Sequence, residues 1–221
     1  MIGAARAGFL GAAGTSTGAA GTNVVALVDY EGDRTVLASA GETAATYTSG
    51  TGTLSTAQAE RGSYSLVSTY AEYMTLDTAL GTTGCIEGFF RSLGQAAKYR
   101  MFAVGGHQET NQFQCWLDAA DAIGLRQGGA NAFSAASGFS DNTWYHVAYS
   151  WTGGTGQFYA NGSRIASFSQ SGSYSSPIVS VGNTYDLGYA FNGYIDCFRV
   201  SKVSRYTGSS ITVPNPNSWF G

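Results

Sequence analysis

An all-β fold, two antiparallel sheets packed as a jelly-roll sandwich, is what this sequence predicts, and three observations predict it. From residue 24 onward, short apolar runs separated by turn residues recur about every ten positions, the spacing of sandwich strands. Composition agrees: of 221 residues 31 are Gly, 14 Tyr and 12 Phe, whereas charged residues reach only 11%. An average soluble domain has roughly 25% charged residues. Thr, Ser and Tyr abound while Lys, Glu and Leu are scarce, which favours strands over helices. The third observation is one strong hairpin. Trp144, His146, Ala148 and Ser150 alternate with Tyr145, Val147, Tyr149 and Trp151, and Gly153-Gly154 then turns the chain back. A chain of this length forms a single domain readily when it is all-β, and it buries about 70% of its unfolded surface.

Residues 1–23 are Gly, Ala, Thr and Ser, with Ile2, Phe9 and Leu10 as apolar anchors. Such a segment buries too little to fold alone, so it is expected to be a flexible arm that orders on assembly, through those three anchors. The jelly roll is expected over 24–214, with a C-terminal tail at 215–221. Its strands fall at 24–28, 63–67, 73–76, 85–91, 99–104, 112–118, 123–127, 144–151, 157–160, 164–168, 178–181 and 193–200. On 85–91, Ile86, Gly88 and Phe90 share one face and Glu87, Phe89 and Arg91 the other. Asn161-Gly162 supplies a tight turn with positive φ. Trp144 is expected to fill the space between the sheets.

Several function classes are excluded. The net charge is −3 and the 11 basic residues form no run, which argues against nucleic acid. No stretch approaches ~18 apolar residues, so no membrane span is expected. Cys85, Cys115 and Cys197 are odd in number, far apart and set in apolar runs, the pattern of small buried hydrophobes. A retaining glycosidase needs two carboxylates about 5–5.5 Å apart. On a strand that means alternate acidic positions, yet Glu87 is flanked by Cys85 and Phe89, and Asp196 by Tyr194 and Phe198. Asp118 and Asp121 have a helix or turn spacing instead. No nucleophile elbow, phosphate loop or metal-binding His/Cys spacing is present. No catalytic residue is therefore expected: His146 reads as a satisfied structural histidine and His107 as a loop cap.

Particular segments carry a resemblance. Thr143-Trp144-Tyr145-His146-Val147-Ala148-Tyr149-Ser150, followed by Gln157-Phe158-Tyr159-Ala160-Asn161-Gly162, resembles the hairpin of laminin-G-like, concanavalin A-like jelly rolls. The stretch 191–207, with Phe191, Gly193, Tyr194, Ile195, Asp196, Arg199 and Arg205-Tyr206-Thr207, is similar to the ending of such domains in tailed-phage virion proteins. The segments 27–33, 55–66 and 86–91 resemble further strands of the family, in the right order. The resemblance implies a non-enzymatic structural protein on the exterior of a tailed-phage particle, a capsid decoration protein whose partners are other virion proteins and copies of itself as a homotrimer. The alternative is a tail or fibre carbohydrate-binding adhesion module, with Tyr70, Tyr73, Tyr99, Tyr185 and Tyr189 as stacking candidates. It also makes Asp29, Glu31, Asp33 and Asp196 candidate ligands for calcium, with turn fixing as the competing role.

Overall fold

A computed structural model describes residues 23–48, 50–67, 72–95, 99–106, 112–120, 122–128, 130–136, 138–170, 173–184 and 190–219. The arm anchors Ile2, Phe9 and Leu10 lie outside the described residues, as do His107 and Asp121. Among the described residues there are fifteen strands, of which β1 (Val24–Val28), β2 (Thr46–Thr48), β3 (Thr53–Ser55), β4 (Ser65–Val67), β5 (Tyr73–Thr75), β6 (Gly84–Ser92), β7 (Tyr99–Val104) and β8 (Phe113–Leu117) come first. There follow β9 (Ala122–Gln127), β10 (Ala130–Ala136), β11 (Trp144–Thr152), β12 (Thr155–Ala160), β13 (Ser163–Ser169), β14 (Ile178–Val181) and β15 (Gly193–Ser201). A single 3-10 turn, Pro216–Trp219, closes the described chain.

The strands form two antiparallel sheets. One has the order β13-β12-β11-β6-β15-β4-β3, with β1 also paired to β15; the other runs β10-β9-β8-β7-β14-β5-β2. Between them lies the core, into which each strand sends alternate residues. Ile86 and Phe90 come from β6, Val147, Tyr149 and Trp151 from β11, and Phe113, Cys115 and Leu117 from β8. Phe113 meets the rings of Tyr149, Trp151 and Tyr174 at centroid distances of 4.8, 5.7 and 4.8 Å. Each such side chain contributes about 1.5–3 kcal/mol by leaving water. Their polar tips are satisfied: the Tyr149 and Tyr174 hydroxyls lie 2.8 Å apart, and the Trp151 indole donates to the Gly81 carbonyl. Asn161 and Gly162 have φ of 43° and 83°, as the tight turn between β12 and β13 requires.

Three features depart from the expected layout. Trp144 points away from the core and packs on the outer face against a small cluster containing Phe89 and Trp219, because Tyr145, not Trp144, shares the inward register of Tyr149. In the expected tail, Asn215, Asn217 and Ser218 are exposed, but Trp219 is buried against the outer face. Finally, β2, β3 and β10 were not expected: the first two are only three residues long and are held by pairing with β5 and β4, while the Ala, Asn and Ser of β10 have little strand preference and pairing with β9 imposes the conformation. All three cysteines are free and buried, as expected, and burial pushes their thiols up.

Candidate functional site

The sandwich has two outer faces, and they differ in kind. On the eight-stranded sheet the face is largely closed by the chain's own C-terminal segment. Arg164 N–H donates to the Ser209 carbonyl, Ile211 N–H to that of Gly162, and the Tyr159 hydroxyl to that of Gly208. Beneath this strap Glu87 is fully buried. It accepts from Arg199 Nη2 at 2.7 Å, from the Tyr206 hydroxyl at 2.8 Å and from His146 Nε2 at 3.0 Å. Burial alone would raise the Glu87 carboxyl, but the Arg199 guanidinium, with His146 and Tyr206, outweighs it and holds the group at about 2. Trp219 then closes over the network, 4.1 Å from the Arg199 guanidinium. These four polar residues pin the strap. His146 is buried, its Nε2 on Glu87 and its Nδ1 without a hydrogen-bond partner.

The four calcium candidates mostly serve one loop. Asp196 Oδ2 accepts the Glu60 and Arg61 N–H groups, both at 2.9 Å. Glu31 accepts those of Ser63 and Tyr64, and Asp29 pairs with Arg61 at 2.8 Å. Gly62 has a φ of 65°, which favours glycine, and a Cβ there would displace the Glu31 carboxylate from the loop. Asp33, apart from these, accepts from Thr35 N–H in its own turn. Among the described residues no group of three or more His, Cys, Asp and Glu could hold a metal ion. Burial also pushes the Asp196 carboxyl up to about 7, against the N–H groups that pull it down, and a carboxyl that retains its proton is a poor ligand for a hard cation. Added calcium is accordingly expected to leave the melting temperature unchanged; a saturable rise would show that these carboxylates exchange N–H groups for the ion.

The outer face of the seven-stranded sheet is polar. Its cross-strand register aligns one residue from every strand: Thr48, Tyr73, Ser180, Ala103, Gln114, Arg126 and Asn131. The next row holds Arg100, Trp116, Gly124 and Ser134. The middle of this face is buried and its margins, Thr48, Tyr73 and Arg126, are half-buried. Arg100 Nε donates to Gln114 Oε1 at 3.1 Å. The indole of Trp116 lies across Gly124, where an added Cβ would come within 2.1 Å of it. Two neutral groups on this face stand out: both amide atoms of Gln112 and the hydroxyl of Ser180 are buried without a hydrogen-bond partner. An unpaired buried polar group costs about 1–3 kcal/mol, so each such group calls for a partner, an ordered water, an ion or a ligand.

Of the five tyrosines singled out from sequence, Tyr73 lies in the polar row and Tyr99 stands half-buried at the start of β7, opposite Leu117. Tyr70, Tyr185 and Tyr189 lie outside the described residues. Sequence reading missed Gln112, Gln114, Arg100 and Trp116. Their signal was faint but present: on 112–116 the polar or amphipathic positions alternate with Phe113 and Cys115, marking a strand with a polar outer face.

A family model described as the Concanavalin A-like lectin/glucanases superfamily matches residues 61–207, and the chain belongs to that superfamily. No curated protein sequence matches it. Among solved structures it is similar to domain 4 of AbnA, a GH43 extracellular arabinanase from Geobacillus stearothermophilus, in complex with arabinotriose. There the TM-score is 0.61 at 16% identity, over 90% of this chain and 97% of that one. It is also similar to the binding domain of botulinum neurotoxin serotype D, with a TM-score of 0.57 at 11% identity, over 82% of this chain and 49% of that one. The serotype D/C binding domain gives 0.55 at 13% identity, over 83% and 50%. At these identities the likeness is one of fold.

Proposed function

We propose that this domain is a non-enzymatic carbohydrate-binding module whose glycan site is the outer face of the seven-stranded sheet. The observation that carries the reading is the pair of buried, unpartnered neutral groups on that face, Gln112 and Ser180. An amide offers a donor beside an acceptor and a hydroxyl offers both, which suits the neighbouring hydroxyls of a sugar. Tyr73, half-buried at the margin of the same face, supplies aromatic surface, Arg126 a cation, and the buried Trp116 lies beside Arg100 in the adjacent row. The arabinanase domain solved with arabinotriose lends support as a shared fold.

Replacing Gln112 with Leu separates a ligand group from a packing group. The variant is expected to gain about 1 kcal/mol of stability in urea unfolding, because an unsatisfied amide is removed. Its affinity for the best oligosaccharide on a glycan array is expected to fall tenfold or more. Unchanged affinity would remove Gln112 from the site.

A second reading concerns where such a module sits. The segment 191–207 favours the exterior of a tailed-phage particle, as a capsid decoration protein or a tail or fibre adhesin, with Ile2, Phe9 and Leu10 contacting a neighbouring copy or the shell. A homotrimer would let each arm reach the next subunit. Labelled antibody against the domain is expected to decorate purified particles; absence of the chain from such particles would exclude this setting.

A further inference from the structure

Where the strap ends, beyond Trp219, the outer face of the eight-stranded sheet carries another row. Thr53 of β3, Val67 of β4, Tyr194 of β15, Arg91 of β6 and Trp144 of β11 are successive cross-strand partners. All five face away from the core, since Leu54, Leu66, Ile195, Phe90 and Tyr145 beside them pack into it. Thr53 is exposed and the other four are half-buried, in contrast to the buried Phe89, His146 and Asp196 two positions further along the same strands. Two aromatic rings thus flank a guanidinium on the central strands of a rigid sheet. Arg91 is itself held: Nη1 donates to Gln58 Oε1, and Nη2 lies 3.5 Å from Asn142 Oδ1.

We propose that Trp144, Arg91 and Tyr194 form a second glycan-binding site, on the sheet opposite the first, for a neutral oligosaccharide. It rests on the reading of the domain as a carbohydrate-binding module but uses none of the same residues. The two rings stand two strand spacings apart, roughly 10 Å, so they take the faces of sugar units on either side of one that Arg91 meets through its hydroxyls. Indole and phenol suit this role, pairing an apolar face with a polar tip. No carboxylate or lysine belongs to the row, and a cation divides its apolar surface. A site on each outer face would let one domain bridge two glycan chains, raising avidity without tighter contacts.

The four tryptophans, Trp116, Trp144, Trp151 and Trp219, make the test direct. Indole N–H signals in nitrogen-15 spectra of the full chain are followed during titration with arabinotriose and with neutral tri- to hexasaccharides of glucose, mannose and xylose. The expected result is a saturable shift of the Trp144 signal with Trp151 unmoved. Tyr194→Ala and Arg91→Gln should each weaken the Trp144 response tenfold or more, while the Trp116 response and the Trp151 position persist as evidence of an intact fold and first site. A shift at Trp116 with none at Trp144 overturns the second site and leaves the module reading standing. Undiminished Trp144 affinity in both variants overturns it as well. If no indole responds to any sugar and the glycan array is blank, both readings fall.

Discussion

Arg199→Met is expected to destabilise the domain by about 3–5 kcal/mol, because it strands the Glu87 carboxylate in the dry interior. The residues are in direct contact at 2.7 Å and Glu87 is fully buried, so water cannot replace the lost partner. Adding Glu87→Gln to that variant should recover at least half of the loss, since the cost lies in the unpaired charge. Urea unfolding of both variants measures the two effects, and an equal loss in both would assign the cost to packing instead. The pH profile follows from the same group. Glu87 is held at about 2, below its ordinary 4.5, so its contribution is complete above about pH 4.5 and is lost as pH falls toward 2. Asp196 acts in the opposite sense. Its carboxyl is raised from 3.8 to about 7, so stability grows as pH falls from 7 toward 4. Together they place the maximum of melting temperature near pH ~4, and Asp196→Asn should flatten the neutral limb alone.

Trp219→Ala is expected to cost a further large amount, about 3–5 kcal/mol, the range for removing a buried tryptophan. The indole packs 5.9 Å from the Phe89 ring and covers Arg199 at 4.1 Å, while its Nε1 has no hydrogen-bond partner. The loss is therefore one of packing and of the cation–π contact. A chain ended at Pro214 should be destabilised at least as much. Wild-type stability in that truncation would mean that the last residues are the loose tail their sequence suggests.

Periodicity reached the sandwich because apolar alternation on 85–91 and 144–151 states which residues face inward, and the inward sets proved to be Ile86, Phe90, Val147, Tyr149 and Trp151. It erred at Trp144, where size suggested the core but register sends the ring outward. The strap was hidden for another reason: residues 208–219 have no strand period, and the one buried among them, Trp219, covers a network whose members, Glu87, His146, Arg199 and Tyr206, are up to 119 positions apart. The calcium candidates illustrate the limit of spacing. Acidic residues beside glycine turns suit an ion and a set of backbone N–H groups equally well, and only the contacts of Asp29, Glu31 and Asp196 with 60–64 distinguish them. Gln112 and Ser180 were illegible as site residues because nothing in a sequence reports that a polar atom lacks a partner.

The claim that the polar face of the seven-stranded sheet receives glycan is tested most directly by a crystal structure of the full chain with the oligosaccharide that binds best on the array. The result expected is sugar density against Gln112, Ser180 and Trp116, with sugar hydroxyls within hydrogen-bond distance of the Gln112 amide. Density confined to other surfaces, with the Gln112 amide still unpartnered, would contradict it.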